Sequence, residues 1–323
     1  VFARDNNGNK IPDPIVGGFV PDYGAITFGG AVPGRPSSDG VSPYGNMLYD
    51  FNGYDRNELI GSVNLDINIT KDLKFETSYS YQYRGNIFKN MSNQFYGFGS
   101  SAGGELFQQN QTNETSNFLQ LFRYRKDFGK HSIEALAAHE SNELSFKVQT
   151  GSKSGAEVPF ALELTQYIVN QDPAEGFQEG RTLESYFGQV NYDFDDKYYL
   201  TGSIRRDGSS VFADNKWDTF WSVGGAWIMS NESWLEDNDF LRYLKVKGSF
   251  GLAGDEAGVV SATGQYYNGV NLFDVTNLDG GFAVSLVGNI ANPDITWERK
   301  KQLQAGAEFT LGDIVDGSID WYR

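Results

Sequence analysis

The chain has 323 residues, with 26 Lys+Arg against 42 Asp+Glu, a formal net charge of −16, no Cys and two His. That balance excludes nucleic acid as a partner, since no basic face is available to neutralise phosphates, and the missing Cys excludes disulfides, thiolate catalysis and zinc–thiolate centres. No stretch approaches 18 uninterrupted apolar residues, which excludes a transmembrane helix. Aromatic residues make up 15% of the chain and Gly contributes 38 residues, a composition that suits an all-β protein. Two classes remain: a soluble extracellular sandwich or lectin, and an outer-membrane barrel, whose mean hydropathy stays low because each strand alternates apolar-out with polar-in.

The chain opens Val1-Phe2-Ala3-Arg4-Asp5, without a basic start or an apolar run, so it reads as a mature chain or a fragment. Residues 1–58 are Gly- and Pro-rich and read as a long extracellular loop or leader. Within them Asp5, Asn7, Asn9 and Asp13 place oxygen side chains at positions 1, 3, 5 and 9 of a loop, a spacing that suits a hard cation such as Ca²⁺. Lys10 stands where calcium loops usually carry Gly, and an Asn/Gly surface turn explains the same residues. A structural calcium is the one cofactor candidate.

Period-2 patterning begins near Ile60. Val63, Leu65, Ile67 and Ile69 alternate with Asn64, Asp66 and Asn68; after the turn 70–72, Leu73, Phe75, Thr77, Tyr79, Tyr81 and Tyr83 alternate with polar residues. This is a hairpin of about ten residues per strand with one apolar face. Globular strands average five or six residues, whereas a tilted strand crossing a bilayer needs about 9–11. The pattern recurs at 117–126 and 132–150 around the turn 127–130, and at 185–194 and 198–205 around 195–197. It recurs again at 221–229, 244–252 and 303–311, and 318–322 starts a further strand. Residues 231–239 suit a short helix with Asn231 or Ser233 as N-cap. About ten strands in five hairpins result. The connections 70–72, 127–130, 195–197, 230–241 and 312–316 are short. Those at 85–116, 151–182 and 253–299 are long, with 206–216 the exception. Short turns at one end and long loops at the other describe an outer-membrane barrel.

The long loops are acidic and aromatic. Tyr266, Tyr267, Phe273 and Asp274 lie in 253–299, the longest of them, and are the candidate substrate or partner contacts, since aromatic stacking with carboxylate hydrogen bonds suits sugars and peptides; loop packing explains them equally. His131 and His139 have no Ser or acid pattern around them and read as structural.

Two stretches carry more than periodicity. One runs from Ser185-Tyr186-Phe187-Gly188 through Arg206-Asp207-Gly208-Ser209-Ser210 and Trp221-Ser222-Val223 to Leu244-Lys245-Val246-Lys247-Gly248-Ser249-Phe250-Gly251. The other is Asn292-Pro293-Asp294-Ile295-Thr296-Trp297-Glu298. In this order and spacing they resemble the barrel of the SusC-like TonB-dependent transporters of Bacteroidetes, strongly over 185–322 and more loosely over 59–150. The resemblance marks Arg206, Asp207, Gly208, Ser209, Asn292, Pro293, Asp294 and Trp297 as a structural family motif. It implies that this all-β chain is about ten strands of a 22-stranded antiparallel transmembrane barrel with a plugged lumen, 1–58 as loop and 59–323 as five hairpins. It also implies energised import of a nutrient, glycan oligosaccharide or peptide, across the outer membrane, without enzymatic chemistry. The implied partners are a SusD-like surface lipoprotein, the TonB–ExbB–ExbD complex acting through an N-terminal part outside this chain, and membrane lipid or lipopolysaccharide. A passive porin and a soluble glycan-binding β-protein are the alternative readings.

Overall fold

A computed structural model describes residues 2–23, 42–236, 238–256, 270–278, 281–287 and 290–323. Among them no helix is long and apolar enough to cross a membrane. A short helix, α1 (Pro43–Tyr49), is capped by Ser42, whose hydroxyl accepts from the Gly45 amide, with Pro43 in its first turn. Among the described residues twelve strands follow: β1 (Phe51–Asn68), β2 (Leu73–Ser92), β3 (Glu105–Phe128), β4 (His131–Ala156), β5 (Tyr167–Phe194), β6 (Tyr198–Ser209), β7 (Trp217–Ile228), β8 (Leu241–Asp255), β9 (Leu272–Leu278), β10 (Gly281–Val287), β11 (Glu298–Leu311) and β12 (Val315–Tyr322). Ten of them form one antiparallel sheet in the order β1 to β8, then β11 and β12; β9 and β10 form a separate hairpin.

Up-and-down order puts alternate connections at opposite ends of the sheet. Direct bonds between neighbouring short turns show that they share one end: the Asp195 amide donates to the Lys130 carbonyl at 2.7 Å and the Gly312 amide to that of Phe240 at 2.8 Å, while Asn231 Nδ2 reaches Asp196 O at 2.9 Å. The predicted apolar stripe faces outward. Val63 is 71% exposed and Leu65 52%, so neither sits in a dry core between two sheets.

The strands are longer than the alternation predicted. β1 begins at Phe51 rather than near Ile60, and β2 to β5 have 20, 24, 26 and 28 residues. The expected loop 85–116 shrinks to 93–104, and 151–182 to 157–166. Residues 168–178 of β5 are exposed at successive positions. Such a strand has no apolar side and leaves no period-2 trace; its backbone pairing carries it. The helix expected over 231–239 is absent among the described residues. A 3₁₀ turn, Met229–Asn231, stands there, followed by one hydrogen-bonded turn at Glu232. The Glu232 carboxylate accepts from the Tyr198 hydroxyl at 2.6 Å and from Trp227 Nε1 at 3.1 Å, which draws this residue back onto the strand ends.

Two compact units are present: Val1–Leu59 with Tyr83–Glu114 and Ser145–Glu179, and Ile60–Gln82 with Thr115–Leu144 and Gly180–Arg323. The first is built on buried Val20, Tyr23, Tyr49 and Tyr96, with a second cluster of Met91, Leu106, Ala161 and Tyr167. The second holds Val211, Phe212, Phe220 and Trp297 in its core.

The β5–β6 turn is tight. Asp195 and Asp196 have φ of 59° and 52°, and the Lys197 amide donates to the Phe194 carbonyl at 3.1 Å. Two left-handed central residues are the mark of a type I′ turn, which prefers Gly second. Asp196→Gly should therefore raise stability by about 0.5–1 kcal/mol, by removing the Cβ penalty, and should leave the β5–β6 register unchanged. Urea unfolding of the refolded barrel checks the gain; the bond from the residue-196 amide to Asp193 Oδ1, 3.1 Å long, is kept by glycine, so a loss would show that the Asp196 side chain contributes more than the strain costs.

Candidate functional site

The second unit is two-sided. Along β6 and β7 the outward positions are Tyr198, Leu200, Ile204, Trp221, Val223 and Trp227. Polar residues of the neighbouring strands meet on the other face. Lys74 Nζ lies 2.9 Å from Asp66 and 3.0 Å from Glu76; Arg123 lies 3.4 Å from Glu76 and 3.0 Å from Glu134. These five side chains form one ion ladder across β1, β2, β3 and β4. Further along, Arg205 binds Asp207 at 2.6 Å, Ser185 at 2.8 Å and Glu140 at 3.3 Å. Lys247 binds Glu308 at 2.7 Å and Asp320 at 3.1 Å. Each cation sits between carboxylates, so the wall is polar and locally neutral, a surface that water, a filling domain or a polar cargo can wet without a large field. A concavity of about 540 Å³ opens on this unit, lined in part by Arg125, Glu134, Tyr199, Lys245, Lys247 and Gln304. The sequence reading missed the ladder because it depends on cross-strand register. The available signal was the placement of Asp66 and Lys74 on either side of the 70–72 turn.

The family-motif residues, some 80 positions apart in sequence, meet in the same unit. Trp297 packs on Phe212 and Phe220, with ring centroids 5.2 and 5.5 Å away. Its Nε1 donates to the Lys216 carbonyl at 3.0 Å, which also accepts from the Ser209 amide at 3.1 Å. Buried Asp207 is held by Arg205, and Gly208 lies directly under the Trp217 indole. Asn292 Oδ1 accepts from the Asp294 amide at 3.1 Å across Pro293, and Ile295 then packs on the cluster. Two residues after Trp297, Arg299 on β11 grips Asp218 on β7 through two bonds of 2.7 and 2.6 Å. Arg206 lies apart from Trp297, on the outward row.

Of the candidate contacts, Tyr266 and Tyr267 lie outside the described residues. Phe273 and Asp274 are adjacent on β9 and so point to opposite faces of the β9–β10 hairpin. In its register Phe273 opposes Leu286, Val275 opposes Val284, and Asp274 opposes Ser285. Phe273, Val275, Phe282, Val284 and Leu286 are all exposed.

The calcium candidates separate. Asp5 caps its own turn: Oδ1 accepts from the Asn7 and Asn9 amides at 2.9 and 2.8 Å, and Oδ2 from Asn9 Nδ2 at 3.2 Å. Asp13 is engaged elsewhere. It is buried; Oδ2 accepts from the Tyr49 hydroxyl at 2.7 Å, and Oδ1 from that of Tyr96 at 2.8 Å and from the Ile15 amide at 2.9 Å. The described residues contain no group of three or more His, Cys, Asp or Glu placed to hold a metal ion. Asp50 Oδ1 accepts from the amide and side chain of Asn93 at 2.9 and 2.7 Å, and Tyr23 stacks on Tyr96 at 6.0 Å. The buried Asp13 and half-buried Asp50 carboxylates thus tie residues 2–23, α1 and the segment after β2 together within the first unit. Burial pushes the Asp13 carboxyl up, but the bonds from Tyr49, Ile15, Tyr96 and Val16 outweigh it and hold it below the ordinary 3.8. Burial and the facing carboxylate push the Tyr49 and Tyr96 phenols well above their usual range.

The sign follows. A carboxyl whose folded pKa lies below its unfolded one stabilises fully above the unfolded value and loses that contribution as pH falls through the folded value. Amide protection of residues 2–23 should be level from about pH 8 to 5 and should drop below about pH 4. Asp13→Asn should lower protection by about 1–3 kcal/mol at neutral pH and shrink the acid step to the share that belongs to Asp5, whose carboxyl the Asn9 and Asn7 bonds also hold low. Hydrogen exchange corrected for intrinsic rates reads both; an acid step of undiminished size in Asp13→Asn would place its origin elsewhere.

Comparison with known proteins adds a lineage. A family model described as TonB dependent receptor-like, beta-barrel, matches residues 3–323. TonB-dependent receptor P26 of Formosa agariphila is 24% identical over 95% of this chain and 34% of its own length. TonB-dependent receptor SusC of Bacteroides thetaiotaomicron is 25% identical over 82% of this chain and 26% of its own length. The solved RagAB peptide importer in its closed-closed state superposes with a TM-score of 0.79 at 21% identity, covering 95% of this chain and 33% of that one. The chain therefore spans about a quarter to a third of the length of the curated relatives it matches.

Proposed function

The chain belongs to the TonB-dependent receptor β-barrel family, and on that premise we propose that it forms part of the wall of an outer-membrane importer that takes up a nutrient, a glycan oligosaccharide or a peptide, with energy delivered through TonB. The family is one of receptors, not enzymes. The observation that supports the reading best is the two-sided sheet: apolar side chains exposed along one face and paired ions along the other. A soluble glycan-binding protein would bury the stripe of Val63, Leu65 and Ile67. A passive porin shares the two faces, so energy dependence separates it from an importer.

The test is uptake of labelled oligosaccharides and peptides by cells carrying the full-length receptor, with and without an uncoupler of the inner membrane. Uptake that stops with the uncoupler supports the importer; undiminished uptake supports the porin.

In this reading the short turns face the periplasm and the β9–β10 hairpin faces outward, where its row of Phe273, Val275, Phe282, Val284 and Leu286 receives a SusD-like surface lipoprotein. A two-stranded hairpin is marginal in water by itself, and an apolar face covered by a partner supplies what it lacks. Phe273→Asp with Val284→Asp should leave the receptor at normal level in the membrane, because neither side chain is buried. The pair should cut co-purification of the lipoprotein, and uptake with it, by at least about ten-fold. Normal co-purification would remove the hairpin from the docking surface.

A further inference from the structure

A row of side chains on the outward face of β4 to β7 is left unused by the import reading. Tyr186 on β5 is the direct register partner of Arg206 on β6. One step on, Gly208 pairs with Trp217 on β7. A Cβ at Gly208 would stand 2.6 Å from the indole, so glycine is what lets Trp217 lie across β6. The indole thereby comes within 6.2 Å of the Tyr186 ring, two strands away. The Arg206 guanidinium lies 5.8 Å from the indole centroid, and the Tyr186 ring lies 4.9 Å from that of His139 on β4. Glu184, the carboxylate of this row, is engaged by His139 Nε2 at 2.8 Å and the Tyr186 hydroxyl at 3.0 Å. Arg206 is exposed and, among the described residues, makes no hydrogen bond or ion pair through its side chain.

The height of the row decides its meaning. At the short-turn end a girdle runs from Phe194 to Tyr198, Trp227 and Trp234, with successive centroids 6.2, 6.0 and 6.5 Å apart. Arg206 lies eight residues along β6 from Tyr198, about 26 Å at ~3.3 Å per residue. With a tilt of about 35–45° this is a rise of about 18–21 Å, close to the ~25 Å height of the apolar band of a membrane barrel. Between the two levels, Leu200 and Ile204 are outward and exposed. The row therefore marks the opposite border of the band, where amphipathic rings settle and a guanidinium meets headgroups instead of acyl chains.

We propose that Arg206, Trp217, Tyr186 and His139 form a binding site for the phosphorylated headgroup of an outer-leaflet glycolipid, with Arg206 pairing with the phosphate and the Trp217 and Tyr186 rings packing on the sugar above the acyl chains. The unpaired guanidinium supplies the charge complement, and its planar fork suits phosphate oxygens. Glu184 is turned into its own bonds with His139 and Tyr186, so it does not neutralise Arg206. This site rests on the membrane reading of the outward face.

The test uses the full-length receptor purified in detergent, with native mass spectrometry reading the binding of monophosphorylated lipid A, dephosphorylated lipid A, phosphatidylglycerol and inorganic phosphate. The heat-modifiable band of the folded barrel confirms assembly of each variant. Wild type should bind the monophosphorylated lipid, and Arg206→Gln should weaken it about ten-fold, the loss of one charge-assisted contact. Arg206→Lys, chosen to assemble as wild type does, should retain binding within about three-fold. Trp217→Leu should weaken both forms of lipid A, and Lys71→Gln in the turn at the other end should change nothing. Binding by Arg206→Gln equal to wild type overturns the site. So does equal binding of phosphatidylglycerol, or displacement of the lipid by inorganic phosphate at the same concentration. A wild-type protein that stays monomeric without detergent overturns the membrane reading and the lipid site with it.

Discussion

Val223→Arg should destabilise the folded barrel by about 2–4 kcal/mol, the cost of an arginine near the bilayer midplane on a lipid-facing strand position. Val223 is outward on β7, pairs with Gly202 on one side and Phe250 on the other, and is 49% exposed. It lies four residues from Trp227 in the girdle, a rise of about 9–11 Å at the strand tilt of such barrels, and so close to the middle of the band. Ser203→Lys is the opposing case. Ser203 lies on the polar face, bonded to Ser222 at 2.6 Å, and its replacement should cost about 1 kcal/mol or less, the net value of one such bond. Leu65→Arg, at an outward position four residues before Ile69 beside the 70–72 turn, should behave like Val223→Arg, and Asn64→Lys like Ser203→Lys. Urea titrations of refolded protein in lipid vesicles give all four. Equal costs on the two faces would remove the assignment of inside and outside on which the function rests.

The same asymmetry explains what the sequence made legible. Strand pairs such as 60–69 with 73–83, and 185–194 with 198–205, could be placed because one face meets lipid and the other does not, so their residues alternate. Where β5 begins at Tyr167, residues 168–178 are exposed one after another, and over the last residues of β4, up to Ala156, half-buried positions succeed one another; alternation is lost in both, although the backbone pairs as before. The segment after β7 misled for another reason: Asn231 and Ser233 have the chemistry of helix caps, but the contacts of Glu232 with Tyr198 and Trp227 decide the local backbone. Asp13 showed how far spacing carries for a site. Its oxygen at the ninth loop position suits a cation in one dimension; in three, two tyrosyl hydroxyls occupy it. The ion ladder and the Gly208–Trp217 crossing needed register, which no single strand contains.

Trp297→Ala carries the second large expectation, because it removes the buried indole with which the second family-motif stretch packs beside the first. The indole is 7% exposed, packs between a tilted Phe212 and an edge-on Phe220, and its Nε1 donates to the Lys216 carbonyl at 3.0 Å. Replacing a buried Trp by Ala costs about 3–5 kcal/mol where the site cannot collapse. Collapse is limited here: Phe220 already presses on Gly254, where a Cβ would fall 2.0 Å from its ring, so it has little freedom to follow the void. The loss should stay local. The pairing of β11 with β8 runs from Glu298 to Leu311, beyond the indole, and the Arg299–Asp218 bonds remain to anchor that strand end. Barrel assembly should therefore proceed, while residues 210–216 and 290–297 open and become cleavable by protease added to intact cells. Trp297→Phe retains a ring and loses one hydrogen bond, so it should cost only about 1–2 kcal/mol and leave those segments protected. Hydrogen exchange of the Ser209 amide, which donates to the same Lys216 carbonyl, gives a second readout: faster in Trp297→Ala, little changed in Trp297→Phe. If Trp297→Ala left protease resistance and Ser209 exchange at wild-type values, the two motifs would be neighbours without being coupled.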